Sequence, residues 1–416
     1  MSADEGTKSF LLYGSLLVLF FKILYTIPMK NQKPNLELYI HIPFCVRKCA
    51  YCDFLSAPAT EDVQTEYVEA LKQEIRENRQ LGEQYQVSTI FFGGGTPSIL
   101  PGEQLAGILE EIKRYFVLQA DAEISVECNP GTLTEEKLTR YRRAGVNRLS
   151  LGLQSTDNEE LRLLGRIHTW EEFQTSYTLA RKAGFTNINV DLMSALPGQT
   201  LESWQKSLYQ VLDLEPEHVS AYSLIIEEGT PFYERYAEAA GQKGQEGQQA
   251  ELAKLPDEDT ERQMYYDTGG ILQKAGYDRY EISNYAKPGR ECRHNLGYWR
   301  RVDYKGFGIG AASLLNGWRL QNRTELQPYL QRQFGYESRE QLTEADTLAE
   351  TMFLGLRTMK GVELTEQMRR VYAKVLEKYV GQGFLEEREG WLRLTERGID
   401  VSNRILAEFL PEETQE

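Results

Sequence analysis

The sequence predicts an α/β fold: a partial (β/α)6 barrel followed by a mostly helical, winged-helix-like C-terminal domain. Short apolar strand patterns alternate with amphipathic helical patterns from residue 36 onward, as is typical of parallel strands joined by helices. No glycine-rich dinucleotide-binding turn follows the first strand, which disfavours a Rossmann domain. After about residue 320 the glycine-rich loops stop, and helical patterns, a short strand pair and a last helix follow.

Six apolar runs predict the strands of the barrel. Helical patterns such as those of residues 65–81, 101–116 and 171–185 lie between them. Strand–helix–strand units of this kind are right-handed, so six alternations build an open barrel with its chemistry at the carboxyl ends of the strands. The predicted strands are residues 36–42, 88–95, 122–129, 147–155, 187–196 and 218–225.

The chain divides into three predicted segments: an apolar N-terminal extension or anchor (1–34), the barrel (35–320) and the C-terminal domain (321–416). The first segment contains an apolar run, residues 10–27, at the short end of the length that spans a bilayer. One interpretation is a membrane anchor, with the lysines that follow it on the cytoplasmic side. The other is that Met29 is the true first residue. Both place the body of the protein in the cytoplasm.

The composition indicates which partners and compartments to expect. The chain has 47 Lys and Arg against 62 Asp and Glu, a net charge of −15. Such a surface repels phosphate backbones, so we expect no nucleic-acid partner. Five cysteines in 416 residues do not suit a disulfide scaffold, which is found in small secreted domains with even cysteine counts. We therefore expect a reducing, cytoplasmic environment.

Three cysteines, Cys45, Cys49 and Cys52, lie in the segment CVRKCAYC just after the first predicted strand. Three thiolates can bind three irons of a [4Fe–4S] cluster and leave the fourth iron open to another ligand. A structural zinc site is the alternative, but it needs four ligands, usually in two spaced pairs, and His41 is the nearest further donor. The spacing therefore favours the iron–sulfur cluster.

The cysteine motif and the preceding segment YIHIPF (39–44) resemble the radical S-adenosylmethionine (SAM) superfamily. Within it, the closest resemblance is to the branch that holds oxygen-independent coproporphyrinogen III oxidase and the HemW-type heme chaperones. The resemblance extends from about residue 36 to the C-terminus. It implies a [4Fe–4S] cluster whose open iron binds the amino and carboxylate groups of SAM. An electron from the cluster then cleaves SAM to a 5′-deoxyadenosyl radical.

The same resemblance implies which residues contact SAM. The motif GGGTP ends the second predicted strand, and its glycines allow backbone groups to approach a ligand closely. The other implied contacts are polar or aromatic residues, most of them at strand ends, that suit the ribose, the amino acid moiety or the adenine. The glycine-rich stretch 306–313 could also pack against the adenine. The implied SAM-contacting residues are Tyr39, Tyr51, Gly94, Gly95, Thr96, Glu127, Gln154, Arg166 and Asp191.

Two features separate the oxidase from the heme chaperones. The oxidase carries a further cysteine two positions after the motif, whereas this chain has Phe54. The segment HNLGYW (294–299) matches the HNxxYW signature of the chaperones. Heme iron is commonly held by an imidazole or a thiolate, so the resemblance implies His294 and Cys292 as heme ligands. The alternative for His294 is a structural histidine, bonded to a backbone carbonyl near an aromatic core.

The predicted function is that of a heme chaperone, which binds heme and transfers it to an acceptor hemoprotein while it carries a [4Fe–4S] cluster and SAM. The resemblance also implies a homodimer and a role near the membrane, which association through residues 10–27 would suit. The alternative is an enzyme of porphyrin biosynthesis, oxygen-independent coproporphyrinogen III dehydrogenase.

Overall fold

The computed structural model describes residues 33–241 and 253–411, without the side chains of residues 237–241. The apolar run 10–27 lies outside the described residues. None of the helices in the described ranges has the length and apolar character that crossing a membrane requires.

Six parallel strands form the centre of the main sheet. They are β1 (Asn35–Ile42), β2 (Gln86–Gly94), β3 (Leu118–Cys128), β4 (Arg148–Gln154), β5 (Ile188–Ser194) and β6 (His218–Ser223). Each strand pairs in parallel with the next one along the chain. All six predicted strands are present, and their parallel order confirms the predicted fold class.

Helices connect the six strands. They are α1 (Glu61–Glu77), α2 (Leu81–Gln84), α3 (Gly102–Tyr115), α4 (Glu135–Ala144), α5 (Asn158–Leu163), α6 (Trp170–Lys182) and α7 (Leu201–Leu212). Several begin at a threonine whose side chain accepts a hydrogen bond from a backbone N–H of the first turn, and Thr169 and Thr200 form complete capping boxes. These caps explain why the helices begin where they do.

The chain after β6 extends this sheet at both edges. The added elements are α8 (Pro231–Gly241), α9 (Glu258–Lys274), β7 (Asp278–Arg279), β8 (Asn284–Ala286), α10 (Arg293–Trp299), β9 (Tyr304–Phe307), β10 (Ala312–Leu315), β11 (Trp318–Asn322), α11 (Leu326–Leu330) and β12 (Tyr336–Gln341). In the described residues the strand order is β12-β11-β10-β9-β1-β2-β3-β4-β5-β6-β8-β7, so β12 and β7 are the two edges of an open barrel.

The last part of the chain forms helices around a small sheet. Its elements are α12 (Glu344–Gly355), β13 (Val362–Glu363), α13 (Glu366–Val371), α14 (Ala373–Gly381), β14 (Leu385–Arg388), β15 (Trp391–Leu394), α15 (Glu396–Ile399) and α16 (Ser402–Ala407). The order β13-β15-β14 is antiparallel, and a separate hydrophobic cluster that includes Met352, Leu392 and Phe409 supports it. The predicted boundary at residue 320 falls inside β11, and the main sheet continues to Gln341.

Alternate residues of β1 have different environments. Leu36, Leu38 and Ile40 are fully buried in the main hydrophobic core. Tyr39 and His41, on the opposite face of the strand, line a cavity. Because side chains of a strand alternate between its faces, β1 supports the core with one face and carries site residues on the other.

Candidate functional site

The three cysteines of the CVRKCAYC motif lie in one loop directly after β1. The backbone N–H of Cys45 donates to the carbonyl of Ala57 at 3.2 Å, and that of Cys52 donates to the carbonyl of Cys49 at 3.3 Å. All three thiols are free and only partly buried. All three line one cavity of about 440 Å³, which we call the cysteine cavity.

The three thiols border one cavity. Within the described ranges no group of three His, Cys, Asp or Glu side chains is found that could hold a metal ion. A structural zinc site needs four ligands around one centre, whereas thiolates bind the separate irons of a [4Fe–4S] cluster. Free, partly exposed thiols around one cavity therefore fit such a cluster.

The GGGTP motif (residues 93–97) packs against the cysteine loop. The N–H of Thr96 donates to the carbonyl of Phe44 at 2.7 Å, and its hydroxyl lies 3.5 Å from the Cys45 sulfur. A Cβ atom on Gly95 would lie 2.6 Å from the carbonyl oxygen of Phe44 and 3.0 Å from the Cys45 sulfur. Gly94 has a φ of +112°, which favours glycine. Gly95 therefore lacks a side chain because the cysteine loop packs directly on its backbone, whereas a Cβ atom on Gly94 would lie 2.6 Å from the His41 ring.

Two of the carboxyl groups that line the cysteine cavity lie on β3 and β5, the strands on either side of β4. Glu127 of β3 accepts a hydrogen bond from the N–H of Gly94 at 3.2 Å. Burial, together with the nearby Asp191, raises the pKa of Glu127 to about 8. Asp191 of β5 accepts hydrogen bonds from Asn189 at 2.7 Å and Ser150 at 3.2 Å, and burial raises its pKa too. Glu127 is thus protonated at neutral pH, and a cationic ligand would favour its ionised form.

Arg166 brings a positive charge to the thiols. Its guanidinium lies 3.6 Å from the Cys49 sulfur and donates to the carbonyl of Gly152 at 2.6 Å. It also donates to the side-chain oxygen of Asn129. Arg166 therefore links the cysteine loop to β4.

Gln154 ends β4 in a strained conformation beside the same cavity. Its φ of +74° lies in the left-handed region, which is uncommon for residues other than glycine. The hydroxyl of Tyr222, at the end of β6, donates a hydrogen bond to the side-chain oxygen of Gln154 at 3.0 Å. Strain of this kind concentrates at binding sites, which agrees with the position of Gln154 on the cavity wall.

The structure brings most of the implied SAM residues together. Eight of the nine line the cysteine cavity: Tyr51, Gly94, Gly95, Thr96, Glu127, Gln154, Arg166 and Asp191. The ninth, Tyr39, lines the neighbouring cavity instead. Sequence reasoning missed Asn129, Met193 and Tyr222, which also line the cysteine cavity. Each lies at or next to the carboxyl end of a parallel strand, and this position was the available signal.

A second and larger cavity, of about 660 Å³, adjoins the first. We call it the larger cavity. The two cavities share Phe54, Gly94 and Glu127 in their walls. Phe54, the residue that replaces the further cysteine of the oxidase, is 59% exposed and lies on this shared wall. The other walls come from α10 and the residues after it, from β10 and β11, and from α12.

His294 and Cys292 are not among the residues that line either cavity. The imidazole of His294 is buried, with Nδ1 2.6 Å from the Thr89 hydroxyl and Nε2 3.0 Å from the Tyr298 hydroxyl. Burial lowers the pKa of His294 to about 3. The buried Cys292 thiol lies 3.6 Å from the Glu123 carboxylate, and burial raises its pKa to about 12. Both ring nitrogens of His294 thus have hydroxyl partners, and the heme-ligand role of His294 and Cys292 stays a prediction.

Of the four histidines, only His41 lines the larger cavity. Its Nδ1 lies 3.1 Å from the Tyr39 hydroxyl and its Nε2 3.0 Å from the carbonyl of Leu55. The glycine-rich stretch 306–313 contributes Gly310 and its neighbours to the larger cavity, and none of its residues lines the cysteine cavity.

Comparisons with known proteins agree on one family. Residues 39–209 match the model of the radical SAM superfamily, and residues 342–401 match that of the HemN C-terminal domain. The heme chaperone HemW of Bacillus subtilis is 38% identical over 90% of this chain and 99% of its own length. HemW of Escherichia coli is 36% identical over 91% of this chain and 99% of its own length. The solved structure of coproporphyrinogen III oxidase (HemN) from Escherichia coli superposes with a TM-score of 0.75, with 26% identity over 91% of this chain and 90% of that one.

Proposed function

The chain belongs to the HemW family of heme chaperones, within the radical SAM superfamily, and from this premise we propose that it binds heme and transfers it to an acceptor hemoprotein. It does so with a [4Fe–4S] cluster and SAM bound in the barrel. The observation that carries the proposal is the adjacency of the two cavities, which share Phe54, Gly94 and Glu127. One cavity is lined by thiols and polar groups, and the other is larger and lined mainly by apolar and aromatic residues.

In this proposal the cysteine cavity holds the cluster and SAM. Cys45, Cys49 and Cys52 hold the cluster, which supplies an electron to SAM when it is reduced. The guanidinium of Arg166 supports the thiolate of Cys49. Glu127 and the other cavity-lining strand-end residues bind the polar parts of SAM.

Heme occupies the larger cavity. A volume of about 660 Å³ is within the range of roughly 300–1,000 Å³ for small-molecule sites. Tyr298, Trp299 and Phe353 line it with aromatic surface, which suits a flat apolar ring. The HNLGYW segment therefore contributes to heme binding through Tyr298 and Trp299, which line the cavity, while His294 holds Tyr298 in place.

The axial ligand of the heme iron is a separate question. Coordination by His294 stays a prediction, and it requires Nε2 to leave the Tyr298 hydroxyl. His41 is the histidine that already lines the larger cavity. Heme titrations of His294→Ala, His41→Ala and Cys292→Ala, with absorption spectra of the bound iron, distinguish the three. If the absorption bands that report an axial imidazole are lost only in His294→Ala, His294 is the axial ligand. Its hydrogen bond with the Tyr298 hydroxyl must then break when heme binds.

The central test is transfer. Anaerobic, cluster-loaded protein should bind one heme per chain and pass it to an acceptor apohemoprotein, measured by the absorbance of the acceptor. The alternative is coproporphyrinogen III dehydrogenase, whose fold is similar, but the relatives that match about nine-tenths of the chain at 36–38% identity are heme chaperones and do not favour it. Incubation with coproporphyrinogen III and SAM discriminates the two. Formation of protoporphyrinogen IX would overturn the chaperone proposal, and its absence together with heme transfer would support it.

Two further proposals rest on the family resemblance and on the apolar run of residues 10–27. One is a homodimer, which light scattering of the purified protein tests. The other is association of the protein with a membrane through residues 10–27, which flotation with liposomes tests in the presence and absence of residues 1–28. A cytoplasmic location agrees with three cysteines that must remain thiolates, because cytosolic thiols are kept reduced.

A further inference from the structure

Two arginines from separate elements meet at the wall of the larger cavity. Arg301 follows α10 and Arg319 lies in β11, and both line the cavity together with Glu350 of α12. The Glu350 carboxylate accepts a hydrogen bond from Nε of Arg301 at 2.8 Å and forms an ion pair with Arg319. The side chains of Arg301 and Glu350 are only 13% and 9% exposed. This triad is therefore part of the cavity wall.

The triad leaves the wall with an excess of positive charge. Glu127, the other carboxyl group that lines the cavity, has its pKa raised to about 8 by burial and is mainly neutral at pH 7 in the protein without SAM. Two guanidinium groups then share one buried carboxylate. Arg319 also pairs with Glu340 at 3.1 Å, but Glu340 is 58% exposed, so solvent screens that pair. Glu350 engages Nε of Arg301, and among the described residues no hydrogen bond is made by its two Nη groups, which are left for another acceptor.

Arg301 occupies a backbone position that ordinarily favours glycine. Its φ is +54°, and the N–H of Val302 donates to the carbonyl of Gly297 at 2.9 Å. This is the left-handed turn that ends many helices, where glycine is the usual residue. A side chain in this conformation costs free energy that glycine would avoid. The turn after α10 therefore bears a strained residue whose guanidinium lies on the cavity wall, which is an independent indication of a binding role.

The rest of the cavity limits what the arginines could bind. Its other walls are mainly apolar or aromatic, and they include Trp299, Leu314, Phe353 and Leu354. A matching ligand has a broad apolar body and acidic groups at one edge. Arginine is the side chain best suited to carboxylates, because its planar group can form two parallel hydrogen bonds with one carboxylate.

We propose that Arg301 and Arg319 bind the two propionate groups of heme, with Glu350 as a positioning residue that holds both guanidinium groups at the wall. This inference rests on the proposed function and assigns the carboxylate-recognition residues of its heme site. It orients the ligand, because the propionate edge must face β11 and α12 and the rest of the ring must extend along the aromatic wall.

The test compares heme with its dimethyl ester, iron protoporphyrin IX dimethyl ester, which lacks both carboxylates. Both ligands are titrated into the cluster-loaded protein, wild type and the variants Arg301→Gln, Arg319→Gln and the double variant. Arg300→Gln is the matched control, because Arg300 is exposed and is not among the cavity-lining residues. We expect each cavity variant to weaken heme binding about tenfold, the effect of one charge-assisted hydrogen bond. The control should bind heme as the wild type does.

The ester gives a readout that loss of structure alone would not produce. Wild type should bind the ester about as weakly as the double variant binds heme, and the ester affinity should be the same in wild type and variants. If the double variant binds heme as tightly as wild type, or wild type prefers the ester, the arginine assignment is overturned while the proposed function stands. If the wild type binds no heme at all, the proposed function fails and this assignment with it.

Discussion

Nε2 of His294 lies 3.0 Å from the hydroxyl of Tyr298, so the first and fifth residues of the HNLGYW segment are hydrogen-bonded to each other. The imidazole also stacks on Phe91, with ring centroids 5.1 Å apart, and its Nδ1 contacts Thr89. One turn of α10 thereby places Tyr298 and the adjacent Trp299 at the larger cavity. His294 therefore fixes the position of two aromatic residues in the wall of the larger cavity.

Replacement of His294 should change how stability depends on pH. Its pKa is lowered to about 3 by burial, so between pH 6.5 and 3 the unfolded chain binds a proton that the folded protein does not. This difference lowers the free energy of unfolding as the pH falls. We expect His294→Gln to reduce the slope of the free energy of unfolding against pH by the contribution of about one proton, roughly 1.4 kcal/mol per pH unit. Urea unfolding at pH 7, 6 and 5 measures it. Thr89→Val keeps the imidazole and should retain the wild-type slope; equal slopes in all three proteins would contradict the prediction.

The five cysteines should divide into two classes. Cys45, Cys49 and Cys52 lie in the loop after β1 and are partly exposed, whereas Cys128, which borders the same cavity, and Cys292 are buried. We expect alanine at any of the first three to abolish stable incorporation of iron and sulfide after anaerobic reconstitution. Alanine at Cys292 should leave the iron content unchanged. Retention of a full cluster in Cys49→Ala would refute the cluster assignment.

Gly95 should tolerate no side chain. A Cβ atom there would lie 2.6 Å from the carbonyl oxygen of Phe44 and 3.0 Å from the Cys45 sulfur. We expect Gly95→Ala to lose about 1–3 kcal/mol of stability, as overpacking typically does, and to incorporate less iron. Gly270→Ala is the control: Gly270 lies within α9, nothing lies within 4 Å of an added Cβ atom, and the change should be neutral or slightly stabilising. Thermal unfolding and iron analysis of both variants provide the measurement.

Binding of SAM should release a proton near neutral pH. Glu127 has its pKa raised to about 8, so it is protonated in the free protein from pH 5 to 7. If the positively charged SAM binds beside it, the bound state favours the carboxylate, and SAM affinity should rise with pH up to about 8 and then level off. Calorimetry in buffers of different ionisation enthalpy counts the released protons. In Glu127→Gln the binding of SAM should release no proton. If this variant releases as many protons per bound SAM as the wild type does, another group is the source of the proton.

A buried carboxylate holds the glycine-rich loop against α1. Glu74 accepts hydrogen bonds from Gly308 at 2.8 Å, Tyr329 at 2.8 Å and Asn322 at 2.9 Å, and it lies 3.9 Å from the buried Lys305 ammonium. Removal of one partner leaves the other charge unpaired, so we expect Glu74→Ala to cost about 3–5 kcal/mol. Adding Lys305→Met should recover part of the loss. Chemical denaturation of the single and double variants tests this, and a double variant less stable than the single one would disprove the pairing.

The strands and the cluster motif could be predicted because their signals are local. Each strand is a short apolar run, and the three cysteines fall within eight residues. The family resemblance implied most residues of the cysteine cavity, and their positions agree with the rule that chemistry collects at the carboxyl ends of parallel strands. No site residue was assigned to β6, so Tyr222 was missed. The orientation of Tyr39 could not be predicted, because which face of β1 borders which cavity depends on how the sheet curves.

By itself the sequence determined the order of strands and helices, the thiol spacing and the family resemblance, since periodicity and motif spacing are properties of neighbouring residues. Only the tertiary structure decided that His294 is fully hydrogen-bonded and that Phe54 lies between two cavities. It also brought Arg301 to Glu350, 49 positions away along the chain. Contacts over such distances depend on the packing of α12 against the barrel. Burial then keeps the imidazole of His294 neutral, and the packing brings the guanidinium groups of Arg301 and Arg319 to one wall of the larger cavity.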